Sequence, residues 1–452
     1  MKTNSENLTT QNIPSLIKQL AIPASTGMFF NTMYNVVDTF YAGLISTQAI
    51  SALTLSFMIF FLIIGFGYGF SSAITALLGN ALGKRRYKLA SIYAHKGLIF
   101  VPLIGLSLSI LGFFFAPSLF ILLGAKEEYL QISLDYINPI LFGAVFFMFN
   151  FSLNSILVAT GDTKTYRNSL IFGFFANLVF NPLFMYGFLF IPAMGIKGIA
   201  IATVLIQVIN MFYLFYKVLQ TKLINLEKYE YFIPNIRVYK QFLIQGIPSS
   251  LNMLTMAIGS LILTYFVSHY GMYAVAGFGI GYRVEQLMLL PALGLSTAVL
   301  SLVSNNYGAK KYDRVIETVK ISIKYGFFIS TIGIIILTIF GKFIISLFDS
   351  NPLVIGFGVD FLLIEIWIFY AYVILFICVS TLQAIKQPKM IMYIGIYRQI
   401  VAKLIISYLI VKYFELDFVY LWFGILFMIY SAAIFAYFYT NRLLKFLTNK
   451  SI

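Results

Sequence analysis

One aspartate stands in an apolar stretch near the start of the chain, and three polar residues share its face. Asn31, Tyr34, Asn35 and Asp38 are spaced i, i+3, i+4 and i+7, which is one side of a helix. A carboxylate held among amides and a phenol can take up a proton or a hard cation. A second polar pair, Asn177 and Asn181, is spaced i, i+4 and is followed by Pro182. Proline frees a backbone carbonyl one turn earlier, so this helix can also offer carbonyl oxygens to a cation. Tyr136 and Asn154 add polarity to the stretch between. The alternative for all of these is helix packing, with amide contacts worth about 1 kcal/mol each.

Further along, Arg283 and Glu285 are two residues apart and so do not share a helix face. Pro291 follows them. Functional and structural roles are both open for this pair, and Glu365 reads as structural. Of sixteen Asp and Glu, Asp38, Glu285 and Glu365 lie well inside apolar runs, whereas Asp135 and Asp360 lie closer to their ends. Arg283 reads as the only deep base.

Enzyme chemistry finds no support. The single cysteine, Cys378, excludes an internal disulfide, and His95 and His269 are isolated, so no transition-metal cluster is expected. Gly65-Phe66-Gly67-Tyr68-Gly69 and Gly277-Phe278-Gly279-Ile280-Gly281 lack a P-loop Lys-Ser/Thr and a βαβ unit, and read as close helix contacts. No nucleotide site, catalytic triad or cofactor is expected.

The elements that must position these residues are membrane spans. Hydrophobic residues make up 60% of the chain and charged residues 10%, too few charges to cover a soluble surface. Apolar runs of span length recur throughout, and period-two alternation is absent, which argues against a β-barrel. The polar start, Met1 to Asn12, carries no cleavage signal. About twelve spans are expected. The first six lie near 14–41, 48–80, 90–115, 129–159, 168–190 and 196–218. The second six lie near 240–268, 274–304, 317–345, 356–384, 392–412 and 418–444.

The two sets of six are copies. At an offset of 225, Pro23 falls on Pro248, Gly69 on Gly294, Asn80 on Asn305, Gly83 on Gly308 and Lys164 on Lys389. Six is even, so the copies are parallel repeats, and the expected domains are a first lobe (1–218), a linker (219–239) and a second lobe (240–452). At the same offset Asn31, Tyr34, Asn35 and Asp38 meet Met256, Gly259, Ser260 and Leu263. The second copy lacks most of the polar face, which suggests that this face serves something other than folding.

The net charge of +15 does not indicate nucleic acid, because the bases crowd into alternate connections such as Lys84-Arg85-Arg86 and Lys310-Lys311. This is the positive-inside pattern. It predicts a multi-pass protein of the inner cell membrane with both termini cytoplasmic, in contact with the bilayer and expected as a monomer.

The run from Pro23 through Asn31 and Tyr34-Asn35-Val36-Val37-Asp38-Thr39 resembles the first helix of the multidrug and toxic compound extrusion (MATE) family. So do Asn80-Ala81-Leu82-Gly83 and its repeat Asn305-Asn306-Tyr307-Gly308-Ala309. Ala159 to Lys164 and Arg283-Val284-Glu285 with Pro291 are also similar to that family. The resemblance covers nearly the whole chain. It implies an all-α membrane protein with twelve transmembrane helices in two V-shaped lobes. It further implies that inward H⁺ or Na⁺ drives export of drugs, organic cations or amphiphiles by alternating access. In the branch with a single essential first-lobe aspartate, that acid matches Asp38, with Asn177 and Asn181 as coupling partners. Asn31, Tyr34, Asn35, Tyr136, Asn154, Arg283 and Glu285 match or flank the cavity. The chain departs from relatives at Asn181, where a second aspartate can stand. It has Ser380, Thr381 and Gln383 around the place of another branch's tenth-span aspartate. A flippase for lipid-linked or other amphiphilic metabolites is the alternative, and it ranks lower because such a cavity needs several bases.

Overall fold

The computed structural model describes residues 4–449, and these form helices joined by short turns. After a short first helix, Asn4–Leu8, six long ones follow: α1 Ile13–Ile45, α2 Thr47–Gly83, α3 Tyr87–Leu122, α4 Glu127–Ala159, α5 Lys164–Tyr186 and α6 Ile196–Gln220. The second set is α7 Ile236–Val267, α8 Met272–Gly308, α9 Tyr312–Ser346, the pair α10a Pro352–Glu365 and α10b Ile368–Ala384, α11 Pro388–Tyr413, and α12 Phe418–Asn449. Ile, Val and Phe, weak helix formers in water, are tolerated here because a backbone in hydrocarbon must satisfy its hydrogen bonds within its own segment.

Among the described residues, ten helices are long and apolar enough to cross a membrane, and the pair α10a–α10b, bent by 53°, makes an eleventh if it is counted as one span. The twelfth expected span is α1. It has the length, 33 residues, but its polar residues lower its apolarity.

The described residues form two compact units, one of Thr26–Ser250 with 4–6, the other of Asn7–Ser25 with 251–449. The division runs through helices. α1 begins in the second unit, where Ile13, Leu16, Ile17, Leu20 and Ala21 pack on Leu295, Ala298 and Leu302 of α8. α7 begins in the first unit, where Val238 and Phe242 join a core with Phe70, Phe100 and Val101. The crossover points, Ser25 and Ser250, are themselves 225 apart.

The same offset marks the close approaches there. Gly69 lies against Ser250, whose Cα would be 2.7 Å from an added Cβ, and Gly294 lies against Ser25 and Ala21, whose carbonyl oxygen would be 2.7 Å away. Only a glycine lets these backbones meet.

The turns repeat too. Arg85 and Lys310 hold φ of 56° and 59°, and Gly161 and Lys386 hold 85° and 65°. Each closes a helix with the same pair of capping bonds, as in Arg86 N–H to Ala81 C=O and Lys311 N–H to Asn306 C=O, both 2.9 Å. Three of the four are not glycine, at roughly 1 kcal/mol each.

The segment expected as a linker packs closely on α3. His95, fully buried, sets Nδ1 2.7 Å from the Ser91 carbonyl oxygen, and its Nε2 accepts the Asn225 N–H at 3.1 Å. Ser91 Oγ donates to the Leu223 carbonyl at 2.7 Å, and Lys96 Nζ donates to the Ile233 carbonyl.

Candidate ion-coupling site

Helix periodicity aims Tyr34, Val37 and Asp38 of α1 into the first unit, where all three are buried. Facing them is α5, whose Gly173 leaves room for the Tyr34 ring, 3.8 Å from where a Cβ would stand. One turn further along α5 come Asn177 and Asn181, both fully buried. Their Nδ2 groups each donate to Asp38 Oδ1 at 2.8 Å. The two amides also bond to one another, Asn181 Nδ2 to Asn177 Oδ1 at 3.2 Å.

α6 completes the shell with a residue the sequence reading missed. Thr203 Oγ1 donates to Asp38 Oδ2 at 3.4 Å and accepts the Tyr34 hydroxyl at 3.1 Å. The sequence did carry a signal for it, since Thr203, Gln207 and Asn210 are spaced i, i+4 and i+7 on one face of an apolar helix. The packing of α6 then shows which partners that face meets, Asp38 and Tyr34 of α1.

Pro182 does free a carbonyl, that of Leu178, four residues back. That oxygen accepts the Tyr41 hydroxyl at 3.0 Å, which ties α5 to α1 beside Asp38.

The remaining expected residues distribute unevenly. Tyr136 on α4 is buried within Coulombic range of Asp38. Asn154 has its Oδ1 buried without a hydrogen-bond partner. Asn31 and Asn35 are exposed, and the Asn35 amide donates to the Asn31 carbonyl at 3.0 Å. The buried arc of α1 runs through positions 34, 37 and 38, so both asparagines fall on its far flank. On α8, Glu285 is buried and Arg283 is exposed, as expected of residues two apart. The expectation that Arg283 is the only deep base does not hold: Arg398 and Lys403 are both buried within α11.

Asp38 is therefore a buried carboxylate with neutral donors on both oxygens and, among the described residues, no basic hydrogen-bond partner. Such a group is costly as a bare anion, and neutralisation lowers that cost. This buried carboxylate stands in an all-helical scaffold with a repeat of six helices. The family model MatE matches residues 23–183 and 248–409, one match per repeat and together more than half of the chain. The chain belongs to the MatE family. Members of this family are membrane transporters rather than enzymes, and so is this chain.

Among its relatives, the chain is 26% identical over 381 residues to the probable multidrug resistance protein YoeA of Bacillus subtilis, covering 81% of each. It is 25% identical over 393 residues to the FAD transporter of Shewanella oneidensis, covering 87% of each. A solved structure of a MOP superfamily transporter from Pyrococcus furiosus is similar at TM-score 0.91 and 25% identity, over 99% of both chains.

Proposed function

We propose that this MatE transporter is a multidrug efflux antiporter of the inner cell membrane, of the branch that uses one first-lobe aspartate, with Asp38 as its coupling acid. The observation that carries the reading is the Asp38 shell: two amide donors at 2.8 Å on one oxygen, a hydroxyl on the other and no hydrogen-bonded base. An inward-moving H⁺ or Na⁺ neutralises this carboxylate, α1 repacks, and the bound organic cation or amphiphile leaves outward. When the ion departs inward, the restored charge favours a new substrate. A proton fits the donor set as it stands. Na⁺ fits once both amides turn over and present Oδ1 beside the Asp38 and Thr203 oxygens. Tyr136, Asn154 and the exposed Asn31, Asn35 and Arg283 are assigned to the substrate side. The positive-inside pattern supports a cytoplasmic location for both termini.

A second reading, export of an amphiphilic anionic metabolite, is favoured by two observations. One is the buried pair Arg398 and Lys403. The other is the FAD transporter among the relatives.

The test is efflux from inverted vesicles under separate pH and Na⁺ gradients, with a cationic dye and with FAD as cargo. Dye transport driven by one gradient and lost in Asp38→Asn supports the first reading. Full gradient-driven dye transport in Asp38→Asn refutes it, and transport of FAD without dye supports the second.

A further inference from the structure

Four charged side chains are buried in the second unit, and the antiport scheme above uses none of them. Glu285 comes from α8, Glu365 from the end of α10a, and Arg398 and Lys403 from α11. All four are no more than 6% exposed. Glu285 and Glu365 are within Coulombic range of one another and of Lys403, and Arg398 acts on Lys403 in turn. They nevertheless do not pair as a packed salt bridge would. Lys403 Nζ donates to Gln399 Oε1 at 2.9 Å, one turn back on its own helix. Glu365 Oε1 and Arg398 Nη1 are each buried with no hydrogen-bond partner.

A structural ion pair in an apolar interior closes to contact, because an unmatched buried charge is expensive. Two acids and two bases that approach without closing, with an acceptor and a donor left over, have an arrangement that gains from a change of occupancy. A proton on Glu365 removes a bare charge, and one taken from Lys403 removes another. A metal cation does not suit the site, since two bases stand beside the two acids. Among the described residues, no group of three or more His, Cys, Asp or Glu is placed to hold a metal.

The backbone is irregular at both ends of the cluster. Glu365 is the last residue of α10a, at the 53° bend. Arg398 and Gln399 lie in a π-helical turn, Tyr397–Val401. Widened turns and broken helices gather at functional sites in membrane transporters.

The repeat adds an independent argument. In the first unit Tyr34 of α1 packs over Gly173 of α5. The mate of Tyr34 is Gly259, 225 residues on, and the mate of Gly173 is Arg398, each nine residues past Lys164 and Lys389. A Cβ at Gly259 would strike Gln399 Oε1 and lie 3.1 Å from Lys403 Nζ. Large and small have changed places, and the same helix-to-helix contact holds an ionisable cluster in both units.

We propose that Glu285, Glu365 and Lys403 form an acid–base cluster that holds one exchangeable proton, with Arg398 as its fixed positive charge. The proton is taken from water and returned to it, and only an O–H or N–H bond forms and breaks. The other titratable groups facing the cluster are Tyr282 of α8 and Tyr372 of α10b, the latter with its ring 5.4 Å from the Arg398 guanidinium. The proposal rests on the antiport reading only for the coupling of this proton to transport. Its occupancy is testable without transport.

The full-length chain carrying Asp38→Asn, which silences the first site, is placed in lipid nanodiscs and titrated by infrared difference spectroscopy. A protonated-carboxyl band that titrates with pH is expected. Glu365→Gln or Glu285→Gln should remove or displace it, and Lys403→Gln should shift its midpoint at least tenfold in proton concentration. Should one variant fail to fold, the other two read the same band. A carboxyl spectrum unmoved by all the folded variants overturns the proposal and leaves the Asp38 reading, measured by dye efflux, standing.

Discussion

Thr203 is the residue through which the geometry of the site can be tested most sharply. Replacing it with valine keeps the volume and removes one hydroxyl. That hydroxyl serves two partners: it accepts Tyr34 O–H at 3.1 Å and donates to Asp38 Oδ2 at 3.4 Å. The bond to Asp38 is long and contributes little, so most of the loss falls on Tyr34, a buried phenol left without an acceptor. An orphaned buried donor costs about 1–3 kcal/mol in soluble proteins. Interhelical hydrogen bonds in a membrane protein average about 0.6 kcal/mol and reach about 1.7 kcal/mol. The expected cost of Thr203→Val is therefore about 1–2 kcal/mol of unfolding free energy, read in mixed micelles. Tyr34→Phe removes the other partner, and the double variant leaves neither group stranded. The two changes should then be less than additive, with a coupling of about 1 kcal/mol, above the additivity error of roughly 0.3–0.5 kcal/mol. Additive losses would refute the pairing of Tyr34 with Thr203 and the α1–α6 contact that places Thr203 on Asp38.

Gly69→Ala and Gly294→Ala should each cost about 1–3 kcal/mol through overpacking, since each would strike the serine at a crossover point. Thermal unfolding of the two variants should fall in parallel, and a cost at one site alone would break the equivalence of the crossovers. His95→Leu removes the acceptor of the Asn225 N–H and should free residues 223–233. Tryptic cleavage at Lys228 should quicken about tenfold, the equivalent of about 1.4 kcal/mol of local opening, with the helical core unchanged. Unaltered cleavage would show that this segment is held elsewhere.

The long helices were legible because composition and the 225-residue offset both follow from the need to bury backbone polarity in a bilayer. Asp38, Asn177 and Asn181 were legible for a related reason. Polar residues at i and i+4 in an apolar run are costly, and the structure brings these three within hydrogen-bond distance. Thr203 was passed over although Gln207 and Asn210 follow it at i+4 and i+7, because one hydroxyl in a helix is cheap and bonds back to its own backbone in most settings. Asn31 and Asn35 share that spacing with Asp38 but stand outside its hydrogen-bond shell. Spacing gives a shared face, but which arc of that face is covered depends on the neighbouring helices. The segment 219–239 read as a linker because it is polar and basic, and polarity alone does not show that its carbonyls are used. Three of them, at Leu223, Glu230 and Ile233, accept side chains from α3.

The asymmetry between the repeats also changes meaning. Comparing residues at a fixed offset shows Tyr34 against Gly259 and Asp38 against Leu263, a second copy stripped of its polar face. That comparison holds the helix constant, whereas the conserved object is a contact between two helices. Removing the ring at position 34 leaves a groove on α7 where Gly259 stands, and the fifth helix of that repeat fills it with Gln399 and Lys403. The make-up of the charges changes with the exchange. The first unit surrounds one acid with neutral donors. The second sets its acids, Glu285 and Glu365, against bases. A single acid among amides responds to any small cation, whereas a cluster that already holds positive charge repels metal ions and still exchanges protons. If both clusters are occupied during transport, Na⁺ can act only at Asp38, while pH acts at both.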